Sequence, residues 1–181
     1  MKVLPTKFKD IKLFNPTVYN DDRGFFIESF NQKIQDELNV NFLQDNHSKS
    51  KQYVIRGLHY QWDNPMGKLL RVVSGAGIDV VVDIRKNSPT YGEYESFKLT
   101  DSNFNMLWVP PGFAQGFLAL EENTHLCYKT TALHNGDAEG AINPTNSGLN
   151  IDWGVSNNNI LLSKKDTLAQ SFNDYDLNPK F

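Results

Sequence analysis

The stretch Arg56-Gly57-Leu58-His59-Tyr60-Gln61 sets an imidazole three residues after a guanidinium, and Lys68 follows nine residues after the histidine, at the head of the apolar run Leu69 to Val73. An imidazole between two cations suits removal of a weakly acidic proton beside a carbonyl, on a substrate that carries negative charge. A lone histidine near a strand is more often a hydrogen-bonded structural residue. Here Arg56 and Lys68 weigh against that reading, because unpaired charges are costly away from water. In a regular strand, side chains three apart point to opposite faces, so Arg56 and His59 share a site only if the strand bends or ends between them.

Further candidates each carry two readings. Asp166 closes Ser163-Lys164-Lys165-Asp166, which has the form of a helix-start capping box; the other reading is that it orients and charges His59 from across the fold. Alternation along Leu126 to Thr130 puts Tyr128 on one face with Leu126 and Thr130, as a core tyrosine or as a phenol in a site. Asp79 and Asp83 share a face opposite Ile78, Val80, Val82 and Ile84, which fits a polar barrel interior and an ion-paired structural strip equally well. Arg23 and Glu28 flank a turn and a strand, where a surface salt bridge is the simplest account. Gln44-Asp45-Asn46 reads as a polar turn whose amides could also recognise hydroxyls or phosphates.

The elements that must position these groups are mostly strands. Ser29 can cap one early helix, with Phe30, Ile34 and Leu38 at helical spacing. Beyond Tyr53 the pattern predicts strands at Leu69 to Val73, Ile78 to Arg85, Glu95 to Leu99, Met106 to Val109, Phe117 to Leu120 and Leu126 to Thr130. Turn residues separate them at Ser74 to Gly77, Ser88 to Gly92, Asp101 to Asn103 and Pro110 to Gly112. Short strands at this spacing indicate an antiparallel jelly roll. With no linker or repeat, residues 1–181 read as a single domain, and the tail after Asn157 reads as a short helix and an exposed end.

Composition narrows the partners. A net charge of -3 argues against non-specific nucleic-acid binding, so any anion must be held by a local cluster. No apolar run approaches membrane-spanning length, and the single Cys127 cannot form an intrachain bridge, so the expected setting is cytoplasmic, away from membranes.

Taken in order, DDRGFFIESF, FLQDNHS, RGLHYQ, GKLLRVVSG, IDVVVDIRKNSPTYG and PPGFAQGF resemble the dTDP-4-dehydrorhamnose 3,5-epimerase family, from about Lys2 to the segment Ser163 to Asp166. The resemblance implies an all-β, cupin-type double-stranded β-helix (jelly roll) with a few short peripheral helices, a homodimer, no metal and no other cofactor. It also implies the conversion of dTDP-4-dehydro-6-deoxy-D-glucose to dTDP-4-dehydro-L-rhamnose. Carried over by position, His59 resembles the proton acceptor, Asp166 its dyad partner, Tyr128 the proton donor and Lys68 the cation at the enolate oxygen. Arg23, Phe26, Glu28, Gln44, Asp45, Asn46, Arg56, Glu139 and Lys165 would hold the nucleotide sugar, and Asp79 would support the catalytic floor.

This chain departs from the family's pattern at three places. Gln115 stands where the pattern carries a histidine, His134 where an aromatic stacks on thymine, and the loop Trp62 to Gly67 is one residue shorter.

The chemistry is coherent in its own right. A C4 ketone acidifies C3 and C5, so a base and an acid on opposite faces can invert each centre through an enolate. A donor at the developing oxyanion is commonly worth roughly 3–4 kcal/mol. The alternatives are a C3-only epimerase, an epimerase of another 4-keto sugar nucleotide, a metal-dependent cupin oxygenase and a non-catalytic sugar-nucleotide-binding cupin. Tyr60-Gln61 and Gln115 leave the oxygenase short of histidine ligands.

Overall fold

The computed structural model describes residues 1–146 and 148–181. The strands, in chain order, are β1 (Lys2–Leu4), β2 (Lys12–Asn15), β3 (Val18–Asp21), β4 (Gly24–Ile27), β5 (Gln44–Ser50), β6 (Ile55–Gln61), β7 (Lys68–Ser74), β8 (Ala76–Asp83), β9 (Tyr94–Thr100), β10 (Met106–Val109), β11 (Phe113–Ala119), β12 (Thr124–Thr130) and β13 (Glu139–Ala141). Among the described residues three short α-helices accompany them: α1 (Gln32–Leu38), α2 (Lys164–Thr167) and α3 (Phe172–Leu177). Two antiparallel sheets, ordered β1-β2-β10-β7-β12-β5 and β13-β6-β11-β8-β9, form the jelly roll that the sequence implied. Strands β3 and β4 make a separate two-stranded hairpin. Among the described residues no helix is long and apolar enough to cross a membrane.

Strand periodicity explains the layering. Leu70 and Val72 of β7, Val81 of β8, Leu107 and Val109 of β10, and Phe113 and Phe117 of β11 fill the space between the sheets. Each contributes about 1.5–3 kcal/mol by leaving water. The alternate residues Val80 and Val82, with Ile84, face outward and are covered by Trp153 and Tyr175 of the C-terminal segment. Outside the other sheet, Ile34 of α1 packs against Phe14, Leu69, Met106 and Trp108.

Several boundaries differ from the sequence reading. Helix α1 is capped by Asn31, whose side chain accepts the Ile34 N–H at 3.2 Å, and not by Ser29. Phe30 stays outside the helix, edge-on to Phe42. The turn predicted over Ser74 to Gly77 is a tight reversal at Gly75 (φ +82°), with Ala76 already in β8. Strand β11 starts at Phe113 rather than Phe117, because Gln115 turns inward to polar partners and hides the alternation. Arg23 pairs with Asp21 rather than Glu28.

The tail is docked, not free. Tyr175 is buried and donates from its hydroxyl to the Ile84 carbonyl at 2.9 Å. A Ser171–Asp174 capping box starts α3, and bridges at Val54–Leu161 and Ile142–Gln170 tie the segment to the barrel.

Candidate active site

One irregularity in β6 assembles the site. Gln115 and Phe117 of β11 oppose His59 and Arg56, so three steps on β6 match two on β11 and an extra residue is bulged out. The extra step brings Arg56 and His59 to the same cavity, which an unbroken strand would forbid. Gly57 makes this possible. Its φ is +144°, and a Cβ there would lie 2.3 Å from Gly116 Cα.

The cavity, of about 320 Å³, opens between the two sheets and is lined by Arg56, His59, Lys68, Gln115, Tyr128, Lys165 and Asp166, with Leu70, Phe117 and Leu126 as its apolar wall. His59 and Gln115 belong to the five-stranded sheet, and Lys68 and Tyr128 face them from the six-stranded one.

His59 Nε2 lies 2.6 Å from Asp166 Oδ1, and Asp166 also accepts the Ser163 hydroxyl at 2.9 Å. Ser163 Oγ accepts the Asp166 N–H in return. The helix-cap geometry and the dyad geometry therefore coexist in one residue. Burial alone would raise the Asp166 carboxyl, but the His59 ring and the Ser163 hydroxyl outweigh it and hold the carboxyl below the usual range. A carboxylate at Nε2 fixes the proton there and leaves Nδ1 as the acceptor. Glu139 Oε1 stands 4.0 Å from Nδ1, and the other Glu139 oxygen accepts from Lys165.

Around the dyad, burial sets the remaining charges. It raises the Tyr128 phenol, against the pull of Arg56, so this group stays protonated at neutral pH. It lowers the Lys68 ammonium, opposed by the charges of Asp79 and Glu139. Arg56 is held at the cavity edge by Ser50 Oγ, which accepts from Nε at 3.0 Å, and by the Lys49 carbonyl.

Other sequence candidates lie elsewhere. Gln44 and Asn46 share the inward face of β5 with Ser48, and Gln44 Nε2 donates to Asn46 at 2.8 Å. Asp45 points the opposite way, to Lys129 Nζ at 2.6 Å. His134 sits exposed on the loop after β12 and donates its backbone N–H to Gln44. Arg23, Phe26 and Glu28 do not line this cavity. Arg23 extends into solvent with its side chain 89% exposed, Phe26 is 63% exposed, and Glu28 accepts from Asn31 beside α1.

The two readings of the β8 acids are both realised, at different ends of the strand. Asp79 lies inside the barrel against Gln115, while Asp83 is a structural strut that accepts from Arg85, Ser88 and Thr90. Sequence reasoning missed Ser48 and Ser50. Their i+2 and i+4 spacing from Asn46 was the available signal, obscured because every residue of β5 is polar. Among the described residues no three histidine, cysteine or acidic side chains converge as a metal site.

A jelly roll with an imidazole on one sheet, a carboxylate brought to it by α2, and a phenol and an ammonium on the other sheet has the make-up of a cupin-type epimerase. Comparison with known proteins narrows the class. Residues 5–174 match the family model described as dTDP-4-dehydrorhamnose 3,5-epimerase. The Shigella flexneri dTDP-4-dehydrorhamnose 3,5-epimerase is 46% identical over 180 residues, which cover 97% of this chain and 98% of that one. Two crystal structures superimpose closely. The Elizabethkingia anophelis dTDP-4-dehydrorhamnose 3,5-epimerase gives a TM-score of 0.90 at 38% identity, covering 97% of this chain and 98% of that one. The Legionella pneumophila dTDP-6-deoxy-D-glucose-3,5-epimerase, in complex with dTDP-4-keto-L-rhamnose, gives 0.92 at 37% identity, covering 99% and 98%. The chain belongs to the dTDP-4-dehydrorhamnose 3,5-epimerase family, and is an epimerase.

Proposed function

We propose that this chain, as a single domain paired with a second copy, converts dTDP-4-dehydro-6-deoxy-D-glucose to dTDP-4-dehydro-L-rhamnose by inverting C3 and C5. The observation that carries the reading is the 2.6 Å His59–Asp166 contact in a cavity shared with Lys68 and Tyr128. His59 Nδ1 takes the C3 proton, and the C–H electrons form the C3–C4 double bond as O4 becomes an oxyanion beside Lys68. Asp166 stabilises the imidazolium so formed. Tyr128 then delivers its O–H proton to the opposite face of C3 as the enolate collapses, and solvent resets both groups. The same cycle at C5 completes the reaction.

Arg56 and Lys165, both at the cavity edge, suit the diphosphate. The nucleotide assignment is supported by the dTDP-sugar in the Legionella relative. Pairing is supported by the β3–β4 hairpin, which holds Tyr19, Phe25 and Phe26 at 61%, 58% and 63% exposure. Exposed apolar surface of this kind on a two-stranded ribbon suits burial against a second chain. Arg23 and Phe26 would then serve the partner's cavity.

Proton NMR of the substrate with the protein in deuterated water tests the chemistry. Label at both C3 and C5 is expected. Label at C3 alone reduces the activity to mono-epimerisation, and no label with the nucleotide bound rejects catalysis. A monomer in sedimentation at assay concentration would remove the pairing.

A further inference from the structure

Lys68, Gln115 and Asp79 form a line of side chains that runs from the cavity into the barrel. Lys68 Nζ donates to Gln115 Oε1 at 3.1 Å, and Gln115 Nε2 donates to Asp79 Oδ2 at 2.6 Å. Asp79 has no exposed surface, and its other oxygen, Oδ1, is buried without a hydrogen-bond partner among the described residues. A buried carboxyl with an orphaned oxygen lowers stability, so a barrel built for stability alone would place an apolar side chain here.

What Asp79 supplies is direction. A terminal amide can sit two ways round, with either its oxygen or its NH2 toward Lys68. An acceptor at Asp79 Oδ2 removes the choice. Nε2 must face the carboxyl, so Oε1 must face the ammonium. One of the three Lys68 N–H donors is thereby tied down, and two remain for the cavity.

We propose that Asp79 is a positioning residue which acts through Gln115 to hold Lys68 at the enolate oxygen, and that this line fixes the cation without supplying a proton. The inference rests on the epimerase reading above. An amide has no ionisation in the working range, so Gln115 adds no titration of its own beside the oxyanion, where an imidazole in the same place would. Burial lifts Asp79 to about 8, against the pull of Gln115 and Lys68. Where the acid form is present its proton belongs on Oδ1, because Oδ2 is already accepting. The amide keeps the same orientation in either state.

The test uses the full chain carrying Gln115→Leu, Gln115→His, Asp79→Leu or Asp79→Asn, with folding checked by circular dichroism and melting. Both leucine variants are expected to lose about 10²-fold in kcat, the scale of a small misplacement of a reacting group. Affinity for dTDP, measured by calorimetry, should stay within about twofold, since uniform binding is untouched. Asparagine can still accept from Gln115, so Asp79→Asn should recover at least about tenfold over Asp79→Leu. Gln115→His should add an ionisation to the kcat–pH profile between about pH 5 and 8.

A folded Gln115→Leu variant within about threefold of wild-type kcat overturns the inference, as does a Gln115→His profile that matches the wild type. If the wild type itself exchanges no proton, the epimerase reading fails as well. If it exchanges normally and Gln115→Leu keeps pace, only the positioning role fails.

Discussion

Replacing Asp166 by asparagine changes a single atom type at the contact with His59 and leaves the cavity volume alone. In the native chain the carboxylate accepts from His59 Nε2 at 2.6 Å and from the Ser163 hydroxyl at 2.9 Å. An amide keeps one acceptor, which Ser163 can claim, and turns its NH2 toward the ring. That NH2 needs Nε2 as an acceptor, which forces the ring proton to Nδ1 and blocks the nitrogen left for substrate. A hydrogen bond to a charged group is worth roughly 1.5–3 kcal/mol, and at about 1.4 kcal/mol per tenfold the lost charge alone predicts a fall of ~10- to ~150-fold in kcat. The misplaced proton adds to this, so Asp166→Asn should lose between ~10² and ~10⁴ in kcat, the upper figure being the scale of an amide in place of a triad aspartate. Deuterium incorporation at C3 and C5, followed by NMR beside a dTDP titration, measures both halves. A folded variant within about fivefold of the wild type would refute the dyad.

Three further outcomes follow from the same structure. Tyr128→Phe keeps the buried ring and removes its donor, so net inversion should fall by ~10²- to ~10⁴-fold while dTDP affinity holds; unchanged turnover would transfer the acid role to another group. Burial alone would raise the Asp83 carboxyl, but Arg85, Ser88 and Thr90 outweigh it and hold it at about 2. Its contribution of about 2 kcal/mol is therefore present above the ordinary value and lost as pH falls through about 4 to 2; acid titrations of stability should lack that step in Asp83→Asn. Asp79 has the opposite sign, being raised to about 8, so it weakens folding increasingly as pH rises from about 4 to 8. Urea melts at about pH 5 and about pH 9 should show Asp79→Asn gaining on the wild type at the higher pH; equal differences at both would place the ionisation elsewhere.

The local pattern along the chain exposed some of this and concealed the rest for identifiable reasons. The alternation in Ile78 to Ile84 and Leu126 to Thr130 was readable, because one face of each strand meets hydrocarbon and the other does not. Strand β5 was unreadable as a strand, since both its faces are polar, one toward the cavity and one toward solvent. The bulge at Gly57 could be posed as a question but not answered, because a register shift is a property of two strands and only one was in view. The same holds for the approach of Asp166 to His59. Its capping motif was visible, but the docking of α2 beside β6 depends on the buried Tyr175 and on bridges to residues far away in sequence.

The placement of Asp166 on the docked C-terminal segment joins two things that are usually separate. The same segment lays Trp153 and Tyr175 over the oily back of the five-stranded sheet. A substitution that undocks this segment would therefore strip the sheet of its apolar cover and His59 of its carboxylate partner together.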